Sequence, residues 1–577
     1  MFDMEAVPLG IWDYVAFFFF FAILSVMGYL SGRKERDNSQ DYFLAGRKLP
    51  WYVIGSSFIA ANISSEHFIG MVGAAVIYGA CTSVACWGNI GSFTFLIWLF
   101  IPFLLASKIY TTPEFLQYRF NFGLRQFFAI VTIICNVVAF LAAVLYGGTL
   151  ALQSLFGWPF WPTIIILGIV AGVWSIYGGL SSVAWTSVPT VIVMLFGGVL
   201  VTIFGLKMLA GDSGGIVEGF KIMIENNQAQ TGIWAEVVTK TATDIVHQSS
   251  YNRLAVIQPL GHELQPWPNM IFGIFSISIW YNVLNQFMIQ RVLGAKNSYH
   301  ARMGIVLAGF IQILLPIIIV LPGLILFAKH PEIMNLPWNQ MRAEADKGWV
   351  QMVNTLIPVG LRGLVLAALF GAIQSTVNSV INSTATIFTM DIYKQMLRRD
   401  ASDKHYVRVG IIASVAVLLI SILLGGFINR LGSSLFVYIQ TLYAFFAPPF
   451  AAIFLLGILW RRINSIGATV AVTAGFILGI LMKVYMQFVP SHFTFIEPFA
   501  NQAAINWSFC MIACIVVSLS TAPPSAEQVT DKLVFNWKKI NIFSDLGDKW
   551  YTSVITWWGL FAIIVIGLLI LFSGIFL

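Results

Sequence analysis

Apolar runs recur along the whole chain. Each is about 20 residues long, which is the length that crosses the hydrocarbon core of a bilayer as a helix. They fall at about 12–31, 51–76, 80–107, 124–150, 161–178, 186–210, 267–290, 300–328, 358–391, 407–428, 431–458, 465–489, 501–521 and 552–577. The pattern predicts an all-α polytopic membrane protein with about fourteen transmembrane helices. One run differs from the rest. Between Trp51 and Val76 it is interrupted by Asn62-Ile63-Ser64-Ser65-Glu66-His67. A lipid-facing helix would not carry these groups, because such polarity is tolerated at mid-membrane depth only where it lines a cavity or an ion path. A broken helix with exposed carbonyls near the bilayer centre marks the ion and solute site of a secondary transporter.

A second polar run, from Ala372 to Thr386, repeats Ser, Thr and Asn inside another span. Small polar residues can also act as packing glue between helices. Two such runs in one chain are better explained as two interrupted segments facing one site, the pattern of an inverted-repeat core.

Charge sets the sidedness. Loops on alternating sides differ in their basic residues. One set holds Arg33, Arg47, Lys48, Lys108, Arg119, Arg291, Lys296, Lys394, Arg461, Arg462 and Lys532. The other holds only Lys221, Lys240, Arg253, Lys329, Arg342, Lys347 and Arg430. The positive-inside rule then puts the first set in the cytoplasm and both termini outside, in an inner (plasma) membrane. The polar segments 211–266 and 329–357 are expected to cap the outer face. The first apolar run ends in a basic loop without a small-residue cleavage site, so it is read as a retained span.

Composition agrees with this reading and excludes others. The chain is 58% hydrophobic and 10% charged, against roughly 25% charged residues in a soluble domain. The net charge of +7 is spread over short loops, so it is no nucleic-acid footprint. Cys81, Cys86, Cys135, Cys510 and Cys514 all lie in apolar segments and imply neither a disulfide framework nor a metal site. No phosphate loop, metal cluster or nucleophile–base constellation stands out, so the chain is not read as an enzyme. His247, His262, His300, His330, His405 and His492 are scattered singly through loops.

Several blocks resemble a known family. Asp41-Tyr42-Phe43-Leu44-Ala45-Gly46-Arg47, followed by Trp51 and then Ser57 to Gly70, is similar to the opening of a sodium:solute symporter of the sodium/glucose cotransporter branch. Tyr110-Thr111-Thr112-Pro113-Glu114-Phe115, Tyr177-Gly178-Gly179-Leu180-Ser181, Gln290-Arg291, Pro358 to Gly363, Asn382 to Tyr393, Tyr438-Ile439-Gln440 and Pro448-Pro449 continue the likeness to about residue 465. The resemblance implies a LeuT-like core of two inverted five-helix repeats, at 51–210 and 267–460. These follow a first helix and loop at 1–50, are separated by an outer loop at 211–266, and precede peripheral spans at 461–577. It also implies inward Na⁺ movement coupled to uptake of a small, sugar-like solute.

Carried over by position, the Na⁺ site would use the carbonyls of Ala60, Ile63 and Ala372 and the hydroxyls of Ser375 and Thr376. A hard cation is suited by neutral oxygens where a helix unwinds. The solute site would use Asn62, His67, Cys86, Ser278, Tyr281, Asn282, Gln312 and Gln440, with Tyr281 as an aromatic inner gate. Here the chain departs from its relatives. Cys86 replaces a sugar-binding carboxylate and Gln312 a Lys. Phe140 and Ser278 replace Asn residues, Asn282 a Trp, and Ser187 an Asp. Joint loss of the carboxylate and the Lys avoids leaving one charge unpaired in a low-dielectric pocket. The expected activity is Na⁺-coupled import of a neutral sugar or polyol. An acidic sugar is the alternative within that class, and a substrate-gated sensor or Na⁺ leak channel is the alternative outside it.

Overall fold

In the computed structural model the described residues are 8–33, 38–212, 214–229, 231–241, 252–428, 435–489, 493–536 and 542–574; His247, Arg430 and His492 lie outside them. Every described element is helical, apart from isolated bridges at Leu49–Ala295 and Gln258–Pro266. Eleven helices are long and apolar enough to cross a membrane, and a twelfth span forms if Asn269–Leu284 and Gln286–Leu293, bent by 52°, count as one.

The expected count of fourteen differs from this because some helices are joined and others are cut short. The run Phe160–Ala210 has 51 residues, about 77 Å at 1.5 Å per residue, against a hydrocarbon core of about 30 Å. It breaks at Gly178 and Gly179. Gly179 has φ +55, and any β-carbon there would collide with the Tyr42 carbonyl. Glu66–Leu105 has 40 residues and turns at Gly79, where φ is +81 and a β-carbon would meet the Arg253 backbone. In the other direction, Trp51–Asn62 is only 12 residues long, too short to pass the length test by itself.

The first interruption lies where the polar run places it. Ile63 leaves the helix at φ −87, ψ 123. Glu66–Met71 then forms a wide π-type turn leading into Val72–Tyr78. Ser and Asn favour such a break because their side chains compete for backbone groups. Ser64 Oγ accepts the Glu66 N–H at 3.1 Å, and Ser65 Oγ donates to the Val144 carbonyl at 2.9 Å.

The second interruption lies elsewhere than expected. Leu361–Ile387 is one continuous helix of 27 residues. Its hydroxyls bond back onto their own helix, Ser379 to the Ser375 carbonyl at 2.7 Å and Thr386 to that of Asn382 at 2.7 Å. That arrangement satisfies a Ser or Thr without breaking the ladder. The break falls instead in the seventh span. There Trp280–Leu284 winds as a π-type turn and Asn285 leaves it at φ −68, ψ 122. The Asn285 side chain then caps Gln286–Leu293 by accepting the Phe287 N–H.

Loops read as lying on one side touch one another. Arg47 donates to the Lys108 carbonyl at 3.1 Å, and Arg119 to that of Ile463 at 2.9 Å. On the opposite face Arg342 pairs with Glu263 at 3.0 Å and Trp234 donates to the Ala328 carbonyl at 3.1 Å. The first and last spans both reach this second face. Asp13 accepts the Gly360 N–H at 2.7 Å, and the Phe572 carbonyl accepts that of Val256 at 2.7 Å. Buried arginines hold the joints. Arg253 fills the carbonyl end of Val72–Tyr78 by donating to Ile77 at 2.8 Å and Val76 at 2.6 Å, where a helix leaves its last carbonyls unpaired.

Candidate functional site

The broken helix and Leu361–Ile387 meet at a cluster of oxygens. The Thr376 hydroxyl lies 3.4 Å from the Ala60 carbonyl, 3.2 Å from that of Ala61 and 3.1 Å from that of Ile63. The helix end that exposes these carbonyls is the one the Asn62–Ser65 interruption creates. Ala372 lies one turn before Thr376 on the same helix, and Ser375 beside it. The Ser375 hydroxyl is 3.0 Å from Ser187 Oγ, which itself donates to the Val183 carbonyl at 2.7 Å. These residues are all buried. Neutral oxygens converging on a helix break, with no basic side chain among them, are a donor set that fits Na⁺.

A cavity adjoins this cluster. It is walled by Asn62, Glu66 and His67 of the broken span, Val84, Ala85, Gly88 and Asn89 of the third, and Gln265 and Asn269 before the seventh. Met270, Gly273, Ile277, Ser278 and Tyr281 follow from the seventh, Phe436, Gln440 and Tyr443 from the eleventh, and Phe499 from the thirteenth. At one end the Tyr281 hydroxyl donates to Asn62 Oδ1 at 2.9 Å. The Tyr281 ring packs against Tyr443, 5.4 Å between centroids, and edge-on to Phe287 at 5.6 Å. Gln440 shares a side-chain hydrogen bond with Glu66. His67 Nδ1 and the Tyr443 hydroxyl are buried without a protein partner. Glu66 is the carboxylate of this wall, and among the described residues no Lys or Arg contributes to it.

The structure therefore gathers Asn62, His67, Ser278, Tyr281 and Gln440 around one space. Three expected residues lie off its wall. Asn282 spends its amide on Asn89 Oδ1 at 2.8 Å and Ser92 Oγ at 3.0 Å. Cys86 is buried on a helix whose Val84, Ala85, Gly88 and Asn89 face the cavity instead. Gln312 is buried in Ser298–Lys329, which contributes nothing to the wall. Phe140 stands behind the gate, stacked on Phe287 at 5.0 Å.

Other wall residues were not anticipated. Glu66 is visible in the polar run, and the structure turns it onto the cavity wall. Gln265 comes from the loop before the seventh span, Asn269 from the first turn of that span and Phe499 from a peripheral span, where no periodicity marks them. The loop is organised by buried His262, whose Nδ1 accepts the N–H groups of Leu264 at 3.1 Å and Gln265 at 3.0 Å. Burial pushes its pKa down to about 3. It is therefore neutral, as two backbone donors on one ring nitrogen require.

A helix-only membrane fold, a span unwound at mid-length and a buried oxygen cluster beside a polar cavity define a secondary transporter with a LeuT-like core. The sodium:solute symporter family model matches residues 42–475, and the chain belongs to that family. It is similar to the sodium/glucose cotransporter of Vibrio parahaemolyticus, 34% identical over 92% of this chain and 95% of that one. It is also similar to the mouse sodium/myo-inositol cotransporter, 31% identical over 89% of this chain and 73% of that one. A solved Na⁺-coupled sialic acid symporter, in a substrate-bound outward-open state, shares the fold. Its TM-score is 0.69 at 21% identity, covering 89% of this chain and 99% of that one. Na⁺ is the coupling ion of the chain, and the chain is a multi-pass integral membrane protein rather than an enzyme.

Proposed function

We propose that the chain imports a neutral, polyhydroxylated solute, a sugar or polyol, with one Na⁺ per cycle. The observation that carries this reading is the chemistry of the cavity wall: amides, hydroxyls, an imidazole and one carboxylate, with no Lys or Arg. Such a wall offers donors and acceptors to hydroxyl groups. It disfavours an anion, because among the described residues no Lys or Arg lines it to offset the cost of burying one. The sodium/glucose and sodium/myo-inositol cotransporters named above support a neutral ligand. An acidic sugar is the weaker reading for the same reason.

In this reading Na⁺ binds the carbonyls of Ala60, Ile63 and Ala372 and the hydroxyls of Ser375 and Thr376. Ser187, with no carboxylate to offer, supports a single ion. A potential of about 100 mV supplies roughly 2.3 kcal/mol per charge, and a tenfold gradient about 1.4 kcal/mol. Together, about 3.7 kcal/mol would concentrate a neutral solute several hundred-fold. Tyr281, latched to Asn62, closes the inner end of the cavity. Residues 51–210 and 267–460 act as inverted repeats, a division supported by a break in the first span of each. Both chain ends face outward from an inner (plasma) membrane, as the basic loops indicate.

A thermal-shift screen of the purified protein against sugars, polyols and sugar acids, in Na⁺ and in K⁺, tests the ligand class. A ligand of the folded state raises apparent stability by mass action. Stabilisation by neutral polyols in Na⁺ is the expected result, and a sugar acid as the strongest ligand would refute it. A sensor or leak channel on this fold would bind ligand yet show no Na⁺-gradient-dependent accumulation.

A further inference from the structure

A second cavity lies far from the solute site, between the first helix Ile11–Gly32, the fifth span and the start of Leu361–Ile387. Its floor is Gly363 and Leu366, both buried. Phe17 and Phe21 form one wall with Phe370, which Phe17 meets edge-on at 5.2 Å. Ile166 and Val170 form the other wall, and Phe18, Tyr14 and Trp158 also line it. Among the described residues the only charged group on the lining is Asp13, and it is consumed. Its carboxylate pairs with Arg362 at 2.8 Å and accepts the N–H groups of Gly360 at 2.7 Å, Gly363 at 2.9 Å and Gly10 at 2.9 Å. The space therefore offers nothing to a headgroup, and water entering it would find no partners.

We propose that this groove is a binding site for one acyl chain of a phospholipid, from the leaflet in which the first helix begins. Three observations fix the occupant. The groove is continuous with the bilayer-facing surface. Phe18 is 64% exposed, Ile166 51% and Val170 42%, and on the same helices Phe19 is 67% and Ile169 53% exposed. Its depth suits an acyl chain. Tyr14 to Phe21 and Gly363 to Phe370 each cover eight residues, about 10 Å of rise along a helix, within a leaflet whose hydrocarbon half is about 15 Å thick. Tyr14 and Trp158, half exposed, are the residue types that mark a membrane–water interface, so the groove starts at headgroup level and runs inward. An unfilled apolar groove forfeits dispersion contacts on every wall, and the hydrocarbon at its mouth restores them. The floor belongs to the helix that, further along, carries Ala372, Ser375 and Thr376.

The test uses the full chain in phosphatidylethanolamine vesicles carrying a trace of the same lipid with a mid-chain diazirine. After irradiation, Leu366 and Phe370 should be labelled several-fold more than Val554–Leu571, whose Ile563 is 71% exposed to bulk lipid. Ile166→Trp with Val170→Trp should fill the groove and bring labelling of Leu366 down to that of bulk lipid contact. Phe18→Ala, which only widens the mouth, should preserve the labelling and serves if the filled variant does not fold. Uniform labelling of all lipid-facing helices, or labelling of Leu366 that persists in the filled variant, would overturn the proposal. So would solvent extraction that yields a stoichiometric sterol or quinone in place of phospholipid.

Discussion

The proposed sodium cluster and the proposed solute cavity lie against each other but are built differently. The cluster is mostly backbone. It is three carbonyls at a helix end, facing hydroxyls on one continuous helix, with Thr376 within 3.4 Å of each of three carbonyl oxygens. The cavity is mostly side chain, drawn from five spans and an outer loop. A backbone site depends on where the helix breaks and tolerates little change at the facing hydroxyls. A side-chain site can be rewritten one residue at a time. Mutations should therefore fall into two groups, loss of coupling at the cluster and altered preference at the cavity.

The largest effect should come from the cluster. Ser375→Ala combined with Thr376→Ala removes two oxygen ligands from a cation. Bonds to charged groups contribute about 1.5–3 kcal/mol each, so Na⁺ affinity should fall about a hundred-fold or more. Uptake in Na⁺ titrations checks this, with the melting temperature in K⁺ unchanged to show an intact fold. Undiminished Na⁺ dependence would break the comparison at its stronger side.

Next comes the gate. Tyr281→Ala removes the ring that packs on Tyr443 and Phe287, while Tyr281→Phe removes only the bond to Asn62. The Phe variant should lose about 1 kcal/mol, roughly fivefold in transport, and the Ala variant clearly more. Equal uptake by parent and both variants would reduce Tyr281 to a packing residue.

At the cavity, Glu66→Gln keeps the shape and exchanges the carboxyl for an amide. It should change preference more than rate, reordering neutral polyols in competition assays while a sugar acid stays excluded. Placing charges at Cys86 and Gln312 should behave differently. Both are buried off the wall, so Cys86→Glu with Gln312→Lys should lower stability without creating glucose selectivity, since an imperfectly paired buried charge is costly. A gain in glucose or galactose preference would return these two residues to the site.

The contrast explains what could be read from the chain alone. Asn62–His67 announces the first break because five polar residues among six cannot face lipid, and the cluster follows from that break. The run from Ala372 to Thr386 misleads as a break because a Ser or Thr side chain can bond its own helix. The second break, at Trp280–Asn285, is hidden because Asn282, Asn285 and Gln286 are interspersed with Trp280, Tyr281, Val283 and Leu284 and form no continuous polar run. Cavity residues such as Gln265 and Phe499 depend on how an outer loop and a peripheral helix dock, and short-range pattern does not carry that.

The smallest effects concern the outer cover and have opposite signs with pH. His262, held near 3 by burial, favours the folded loop above its ordinary value of 6.5, and that contribution is lost as pH falls from there toward 3. Asp346, on the outer helix Trp338–Leu356, is pushed up to about 8 by burial, which the Leu435 N–H and Arg342 only partly oppose. Its contribution is lost as pH rises from about 4 toward 8. Amide protection at 262–269, with exchange corrected for its intrinsic pH dependence, should therefore fall on acidification, and Asp346→Asn should raise the melting temperature more at pH 9 than at pH 5. Effects of the same sign would mean the cover does not bury these groups.

Uptake by proteoliposomes under an imposed inward Na⁺ gradient tests the central claim most directly, with labelled myo-inositol, glucose, galactose and glucuronate compared side by side. The account predicts accumulation of at least one neutral compound above its outside concentration, none when K⁺ replaces Na⁺, and exclusion of glucuronate. Glucuronate as the preferred solute, or equal accumulation without the gradient, would contradict it.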